Sequence, residues 1–235
     1  MNDARHFLVV SHTGRQSALE ATGEVCSQLL AAGAVPVIAA EHWDDVHAFV
    51  PKVNGEVKRF EEIDPHEIEL VIVLGGDGTI LRAAELMRDY PVALLGVNLG
   101  HVGFLAESER DDLGYTVARA LARDYTVEER MTLSVRAKLG DEVVYESWAL
   151  NEATVEKAER ERMLEVVVEV DRRPLSSFGC DGRRTFDLPP GARVIVRKSP
   201  VPVRLARLHE APFTDRLVNK FQLPVTGWRG PVGRD

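Results

Sequence analysis

Short apolar runs alternate with helically spaced apolar residues through the first half of the chain. Four runs predict buried strands, at residues 5–11, 35–39, 70–74 and 91–96. Apolar residues three or four positions apart predict helices after three of these runs, at residues 16–32, from about residue 79 onward, and at 108–123. Residues 41–66 are polar and predict a short helix and an exposed connection. Strands that alternate with helices predict a parallel sheet covered by helices.

The pattern changes to period-two alternation near residue 125. Alternating stretches separated by turn residues predict a second, mostly antiparallel and β-rich domain. The predicted organisation is an α/β nucleotide-binding domain at 1–124, a β-rich domain at 125–212, and a tail at 213–235 with a short helix that packs back on the first domain. Ligands of parallel α/β sheets bind beyond the carboxyl ends of the strands, so that edge is where chemistry is expected.

A glycine turn follows the most apolar of the predicted strands. The strand ends at Leu74, and Gly75, Gly76, Asp77, Gly78 and Thr79 come next. Thr79 is predicted to cap the helix that follows. Glycines at a strand–helix junction let a phosphate approach backbone N–H groups, so the turn predicts an anion site.

Asp77 is the one carboxylate within this turn. An acid beside an anion site is electrostatically unfavourable unless it has a chemical role. It can deprotonate a hydroxyl group, or it can hold a divalent cation during phosphoryl transfer. A glycine-rich strand–helix turn with no such role is the alternative interpretation.

Two further clusters have polar or glycine residues after strands. Residues 96–107 contain several glycines but not the dinucleotide G-x-G-x-x-G spacing, so a Rossmann site is not predicted. Asn151 and Glu152 follow the strand-like run ending at Leu150, and an adjacent amide and carboxylate can bind ribose hydroxyls or a base edge. Such a pair is also common in ordinary loops.

Composition narrows the class of protein further. The chain has 235 residues, and 45% are hydrophobic, which is enough for a substantial core. No apolar run reaches membrane-spanning length and no signal peptide is evident, so a cytoplasmic location is expected. Two cysteines, Cys26 and Cys180, form neither a disulfide framework nor a zinc pattern.

Charge is unevenly distributed along the chain. The net charge is −8, which disfavours broad binding to nucleic acid or membrane. Residues 1–182 carry a net charge of −15, whereas residues 183–235 carry +7. The basic segment suits a phosphate or an acidic neighbouring surface, or it is an ordinary solvated face.

Taken together and in this order, these motifs resemble bacterial NAD kinase, particularly the actinobacterial type. The similarity covers about residues 5–230 and is carried by five segments, at 74–79, 98–107, 149–153, 178–182 and the tail at 211–228. The resemblance implies the fold shared with diacylglycerol kinases. It also implies a homo-oligomer, dimer or tetramer, with no nucleic-acid or membrane partner.

The activity that the resemblance implies is transfer of the ATP γ-phosphate to the 2′-hydroxyl of the adenosine ribose of NAD, giving NADP. Asp77 would be the catalytic base, and Gly75–Thr79 would hold phosphate. The implied cofactors are ATP, with polyphosphate as an alternative phosphoryl donor, and a divalent cation such as Mg²⁺, with no metal ligand assigned in the chain. The other residues implied to bind the nucleotides are Arg82, Phe104, Asn151, Glu152, Arg162 and Asp181.

One segment departs from the family pattern. In the family, the Cys-Asp-Gly of residues 180–182 precedes a strand and a Thr-Pro-Thr-Gly-Ser-Thr-Ala-Tyr run, which is absent here. Residues 183–191 instead resemble a later family segment introduced by a second Cys-Asp-Gly. This predicts that an internal segment is missing after Gly182, and it leaves open which copy Asp181 represents. A lipid or sugar kinase of the Gly-Gly-Asp-Gly type and a non-catalytic nucleotide-binding remnant remain as alternatives.

Overall fold

The computed structural model describes most of the first half of the chain and parts of the second half. The described residues are 4–47, 57–99, 108–109, 113–154, 168–170, 173–175, 179–180, 188 and 191–208. The chain divides into two compact units, one formed by residues up to Glu128 with those from Arg204 onward, and one by Glu129–Val203.

Helices and strands alternate in the first part of the chain, and strands alone follow. The helices are α1 (Gln16–Ala31), α2 (Ala40–His47), α3 (Asp77–Leu86) and α4 (Leu113–Leu121), with two short 3₁₀ helices at Phe60–Glu62 and Pro65–Glu67. The strands are β1 (His6–Ser11), β2 (Val35–Ile38), β3 (Lys58–Arg59), β4 (Ile68–Leu74), β5 (Ala93–Asn98), β6 (Ser108–Glu109), β7 (Thr126–Arg130), β8 (Leu133–Leu139), β9 (Glu142–Ala149), β10 (Ala153–Thr154), β11 (Val168–Val170), β12 (Arg173–Leu175), β13 (Gly179–Cys180), β14 (Arg193–Lys198) and β15 (Val203–Arg207).

The large sheet has the order β3-β2-β1-β4-β5-β15-β7, with β6 also paired to β5. The pairs of β1 with β2 and β4, and of β5 with β4, β6 and β15, are parallel. The four predicted strands and the parallel sheet are therefore confirmed. The carboxyl ends of β1, β4 and β5 consequently meet at one edge of the sheet, where α1 and α3 begin.

The core lies between this sheet and its helices. The strands β1 and β4 are buried on both faces, and Phe7, Leu8, Leu70 and Ile72 have no exposed surface. The face that carries Phe7 packs with α1 and α4 in one apolar cluster. Burial on both faces is what an uninterrupted apolar run produces in a parallel sheet.

Three elements differ from those that the apolar pattern predicts. The segment predicted as an exposed connection contains β3, which pairs in parallel with β2 at the edge of the sheet although both its residues are exposed. The helix predicted at 108–123 is shorter, since Ser108–Glu109 pairs with β5 and α4 begins at Leu113. The strand β15 joins the large sheet, whereas the sequence assigned residues 125–212 to the second domain. The predicted tail at 213–235 lies outside the described residues.

An ion cluster closes the opposite edge of the sheet, where the strands begin. Glu69, the second residue of β4, accepts hydrogen bonds from Arg5 Nε (2.7 Å) and from Arg123 Nη2 (2.8 Å). Arg5 also donates to the carbonyl of Leu121 at the end of α4 (2.8 Å). Burial alone would raise the pKa of Glu69, but the hydrogen bonds from the two arginines lower it to about 2. The cluster joins β1, β4 and the end of α4.

The second unit contains a three-stranded antiparallel sheet with the order β14-β8-β9, and two two-stranded pairs, β10 with β13 and β11 with β12. An antiparallel, β-rich second domain is thus confirmed. Its described residues bury few apolar side chains, namely Ala137, Ala149, Ala153 and Val203. Larger apolar residues, among them Met131, Leu139 and Val143, are about half exposed. The three-stranded sheet therefore has no substantial core of its own within the described residues.

Among the residues that the structure describes, no helix is both long and apolar enough to cross a membrane. The thiol of Cys26 is buried in α1, which raises its pKa to about 12. A thiol with so high a pKa is chemically unreactive near neutral pH.

Removing the charge of Glu69 is expected to destabilise the first unit in a pH-dependent way. Glu69→Gln should lower the free energy of unfolding by about 2 kcal/mol at pH 7, because it leaves Arg5 without its charged partner. A carboxylate with a depressed pKa stabilises the fold above its unfolded pKa. The difference between Glu69→Gln and the unaltered chain should therefore shrink as the pH falls from about 4.5 towards 2.

Denaturant unfolding at a series of pH values measures this difference. The control is Glu24→Gln on the exposed face of α1, which should change stability by less than about 0.5 kcal/mol at every pH. A Glu69→Gln deficit that stays constant from pH 6 to pH 3 would contradict the assigned role of the cluster.

Candidate functional site: the glycine turn after strand β4

The glycine turn is tied to the sheet on one side and to α3 on the other. The N–H group of Gly75 donates to the carbonyl of Val97 in β5 (3.0 Å), so the turn begins where two neighbouring strands end. A Cβ atom at Gly75 would lie 2.9 Å from the Cβ of Thr79 and still closer to its Oγ1. Gly75 also has a φ of +159°. Position 75 therefore requires glycine because Thr79 packs directly against the backbone.

Helix α3 begins at Asp77, and Gly76 is its N-cap. The carbonyl of Gly76 accepts hydrogen bonds from the N–H groups of Thr79 (2.9 Å) and Ile80 (3.2 Å). The prediction that Thr79 caps the helix is wrong. Its side chain is buried beneath Gly75, two residues inside α3, where it packs in the turn.

Gly76 and Gly78 differ from Gly75 in their surroundings. No heavy atom would lie within 4 Å of a Cβ atom added at either position. The described residues leave this space open, so no contact among them requires glycine at either position. Open space beside the first N–H groups of a helix is the geometry in which an anion can approach the backbone.

Asp77 occupies the first turn of α3 and is half-buried. A carboxylate is favourable at this position because it faces the positive end of the helix dipole. The sequence analysis treats an acid beside an anion site as electrostatically unfavourable. In the structure, the helix dipole stabilises the Asp77 carboxylate. Asp77 and the backbone N–H groups of the turn share one end of α3 at the carboxyl edge of the sheet.

Arg82 lies on the same helix, and its guanidinium is directed to the end of β1. Its Nη2 donates to the carbonyl oxygen of Ser11 (2.7 Å). The glycine turn, Asp77, Thr79 and Arg82 are therefore brought together by β4 and α3. The sequence analysis did not identify Ser11. The one feature that could have indicated it is its position at the end of a predicted strand.

The remaining predicted site residues lie elsewhere. Asn151 and Glu152 are exposed and follow β9 in the second unit. Phe104, Arg162 and Asp181 lie outside the described residues, as does most of the segment 98–107. In the part of the chain that the structure describes, no group of three or more His, Cys, Asp or Glu side chains could hold a metal ion.

Comparisons with known proteins agree with this geometry. Residues 7–125 match the family model of the ATP-NAD kinase N-terminal domain. An NAD kinase of Leifsonia xyli subsp. xyli is 55% identical, in an alignment that covers 98% of this chain and 99% of the relative. NAD kinase 2 of Streptomyces coelicolor is 42% identical, with 97% and 98% covered. The crystal structure of yeast NADH kinase complexed with NADH matches with a TM-score of 0.74 at 12% identity, over 97% of this chain and 90% of that one, and supports the fold.

The parallel α/β sheet with its Gly-Gly-Asp-Gly turn after β4, together with these matches, places the chain among the ATP-dependent kinases. The chain belongs to the NAD kinase family. The resemblance to the actinobacterial type of bacterial NAD kinase is thereby confirmed.

The two kinds of glycine in the turn predict different responses to alanine. Gly75→Ala should lower the free energy of unfolding by about 1–3 kcal/mol, because the new methyl group overlaps Thr79. Gly78→Ala is the matched control, since its methyl group meets open space within a helix, and it should leave stability unchanged or slightly raised. Denaturant unfolding of both variants measures the difference. Equal stability of the two would contradict the packing role of Gly75.

Proposed function

We propose that this chain transfers the γ-phosphate of ATP to the 2′-hydroxyl of the adenosine ribose of NAD, giving NADP. The observation that carries the proposal is Asp77 at the first turn of α3, between two glycines whose Cβ positions face open space. A phosphate chain and a hydroxyl group can approach one carboxylate there. The relatives of this chain are NAD kinases, which supports the choice of NAD as acceptor.

The proposed roles follow from the geometry of the turn. Backbone N–H groups of the turn at Gly76–Gly78 hold phosphate oxygens at the positive end of α3, where the fixed dipoles offset negative charge. The Asp77 carboxylate accepts the proton of the 2′-hydroxyl as its oxygen attacks the γ-phosphorus in line with the departing ADP oxygen. Asn151, Glu152, Phe104, Arg162 and Asp181 are proposed to contact the dinucleotide.

A divalent cation such as Mg²⁺ fits this site in one way. Mg²⁺ in phosphoryl-transfer sites is bound by one or two carboxylates together with substrate phosphates, not by an all-protein cage. The described residues offer Asp77 as the carboxylate at the turn and no cluster of three acidic, histidine or cysteine ligands. When bound, the cation would neutralise charge on the transferring phosphate.

NAD is the phosphoryl acceptor, and we also propose that an internal segment of the chain that would help bind NAD is missing after Gly182. The alignment with the Leifsonia xyli relative spans 300 positions, which is longer than this 235-residue chain. The absent Thr-Gly-Ser-Thr-Ala-Tyr run is proposed to form a wall of the NAD pocket. Its loss weakens NAD binding and leaves the glycine turn intact.

Removing the base tests the role of Asp77. Asp77→Asn keeps the size and hydrogen-bonding capacity of the side chain but removes its charge and basicity. In a chain with the missing segment restored, kcat should fall by about 10²-fold or more, with the NAD affinity nearly unchanged. Asp89→Asn, an exposed aspartate just beyond the other end of α3, is the matched control and should leave kcat unaffected. A near-normal kcat for Asp77→Asn would remove Asp77 from the mechanism.

Restoring the missing segment tests the acceptor side. The corresponding residues of the Leifsonia xyli relative are inserted after Gly182, and NAD affinity and NADP formed per mole of protein are measured before and after. The chain as written should bind NAD weakly and form NADP at a rate close to background, and insertion should raise both. Robust turnover by the 235-residue chain would show that the segment is dispensable. Tight NAD binding without turnover in both forms would instead favour a nucleotide-binding remnant.

A further inference from the structure

Arg82 connects the helix that carries Asp77 to the neighbouring strand. It lies five residues after Asp77 on α3, and its Nη2 donates to the carbonyl oxygen of Ser11, the last residue of β1 (2.7 Å). A hydrogen bond from a guanidinium to a carbonyl is stronger than one between neutral groups. The bond joins residues 71 positions apart in the chain.

The main chain leaves the sheet directly after this contact. Ser11 is paired with Leu74, and the N–H group of His12 donates to the carbonyl of Leu74 (3.1 Å), after which residues 12–15 form the loop into α1. Ser11 is 1% exposed, and its hydroxyl has no hydrogen-bond partner in the structure. The carbonyl of Ser11 is therefore the group through which α3 holds the start of this loop.

The loop lies beside the glycine turn because β1 and β4 are adjacent and parallel. Both loops leave the carboxyl edge of the sheet, and both lead into a helix whose positive end faces that edge. The first turn of α1 contains no acidic residue, and its N-cap Arg15 makes no side-chain capping bond. A phosphate chain held at the glycine turn would therefore lie next to residues 12–15, and its contacts with them would depend on the position of this loop.

Arg82 is also close to helix α2. The pKa of His42, a buried residue in the first turn of α2, is lowered by burial and further by the positive charge of Arg82. Arg82 is thus close to β1 and α2 as well as to its own helix. This position suits a side chain that supports the loop.

We propose that Arg82 is a positioning residue for the phosphoryl donor, which holds the loop of residues 12–15 beside the glycine turn through the carbonyl of Ser11. This role rests on the proposed function in that the donor is a nucleoside triphosphate. It differs from the role implied by family resemblance, in which Arg82 contacts the nucleotide. It concerns the first unit, so it does not depend on the segment missing from the second.

The experiment compares Arg82→Met, which keeps the length of the side chain without its donors, with Arg82→Lys, which keeps one charged donor. ATP affinity is measured by calorimetry with Mg²⁺ on the 235-residue chain. Arg82→Met should weaken ATP binding roughly tenfold, and Arg82→Lys should recover part of that loss. Arg119→Met on α4 is the matched control. Arg119 bonds Asp124 near the opposite edge of the sheet, and this variant should bind ATP normally.

Hydrogen exchange separates positioning from direct contact. In the ligand-free chain, exchange in the segment 12–19 should rise severalfold for Arg82→Met and remain unchanged for Arg119→Met. Weaker ATP binding without this change would make Arg82 a direct ligand and overturn the proposal. Normal ATP binding by Arg82→Met, or no ATP binding by the unaltered chain, would also overturn it. If ATP binding and exchange respond as expected while no NADP forms even after the segment is restored, the proposed function fails and the positioning role stands.

Discussion

The site depends on where strand β4 ends. This strand is buried on both faces and pairs with β1 and β5 from Leu70 to Leu74, so two neighbouring strands fix the position of its last residue. The first residue after it, Gly75, is fixed by its hydrogen bond to Val97 and by the packing of Thr79 against its backbone. Helix α3 must then begin at Asp77. The Asp77 carboxylate and the first backbone N–H groups of α3 are thereby held at one point by the core of the protein.

The described parts of the two units differ in how many apolar side chains they bury. The first unit has a core of fully buried strands, an ion cluster at one edge of its sheet and the glycine turn at the other. The described part of the second unit has antiparallel strands but buries only small apolar residues and Val203. In phosphoryl transfer the enzyme contributes mainly positioning and charge stabilisation. If a segment of the second unit is missing, as proposed, weak acceptor binding and little transfer are expected.

Sequence patterns predicted those features that depend on local chemistry. Continuous apolar runs predicted β1, β4 and β5, because strands buried on both faces of a parallel sheet have no polar positions. The Gly-Gly-Asp-Gly motif predicted a turn between a buried strand and a helix, with Asp77 within it. The predicted cap at Thr79 was wrong because Thr79 packs against the backbone of Gly75 from inside α3, and capping preferences do not reveal such packing. The edge strand β3 was missed since its two exposed, charged residues have no apolar signal. The contact of Arg82 with Ser11 depends on tertiary structure over 71 residues, and no local pattern encodes it.

The choice of acceptor tests the account most directly. The chain as written and the chain with the family segment restored are each offered ATP and Mg²⁺ with NAD, with diacylglycerol and with a sugar phosphate, and the phosphorylated product is identified by ³¹P NMR. The account predicts a new phosphate at the 2′-position of the adenosine ribose of NAD, formed slowly by the 235-residue chain at high NAD concentration and readily by the restored chain. Phosphorylation of the lipid or the sugar but not of NAD, or no phosphorylated NAD from the restored chain, would contradict it.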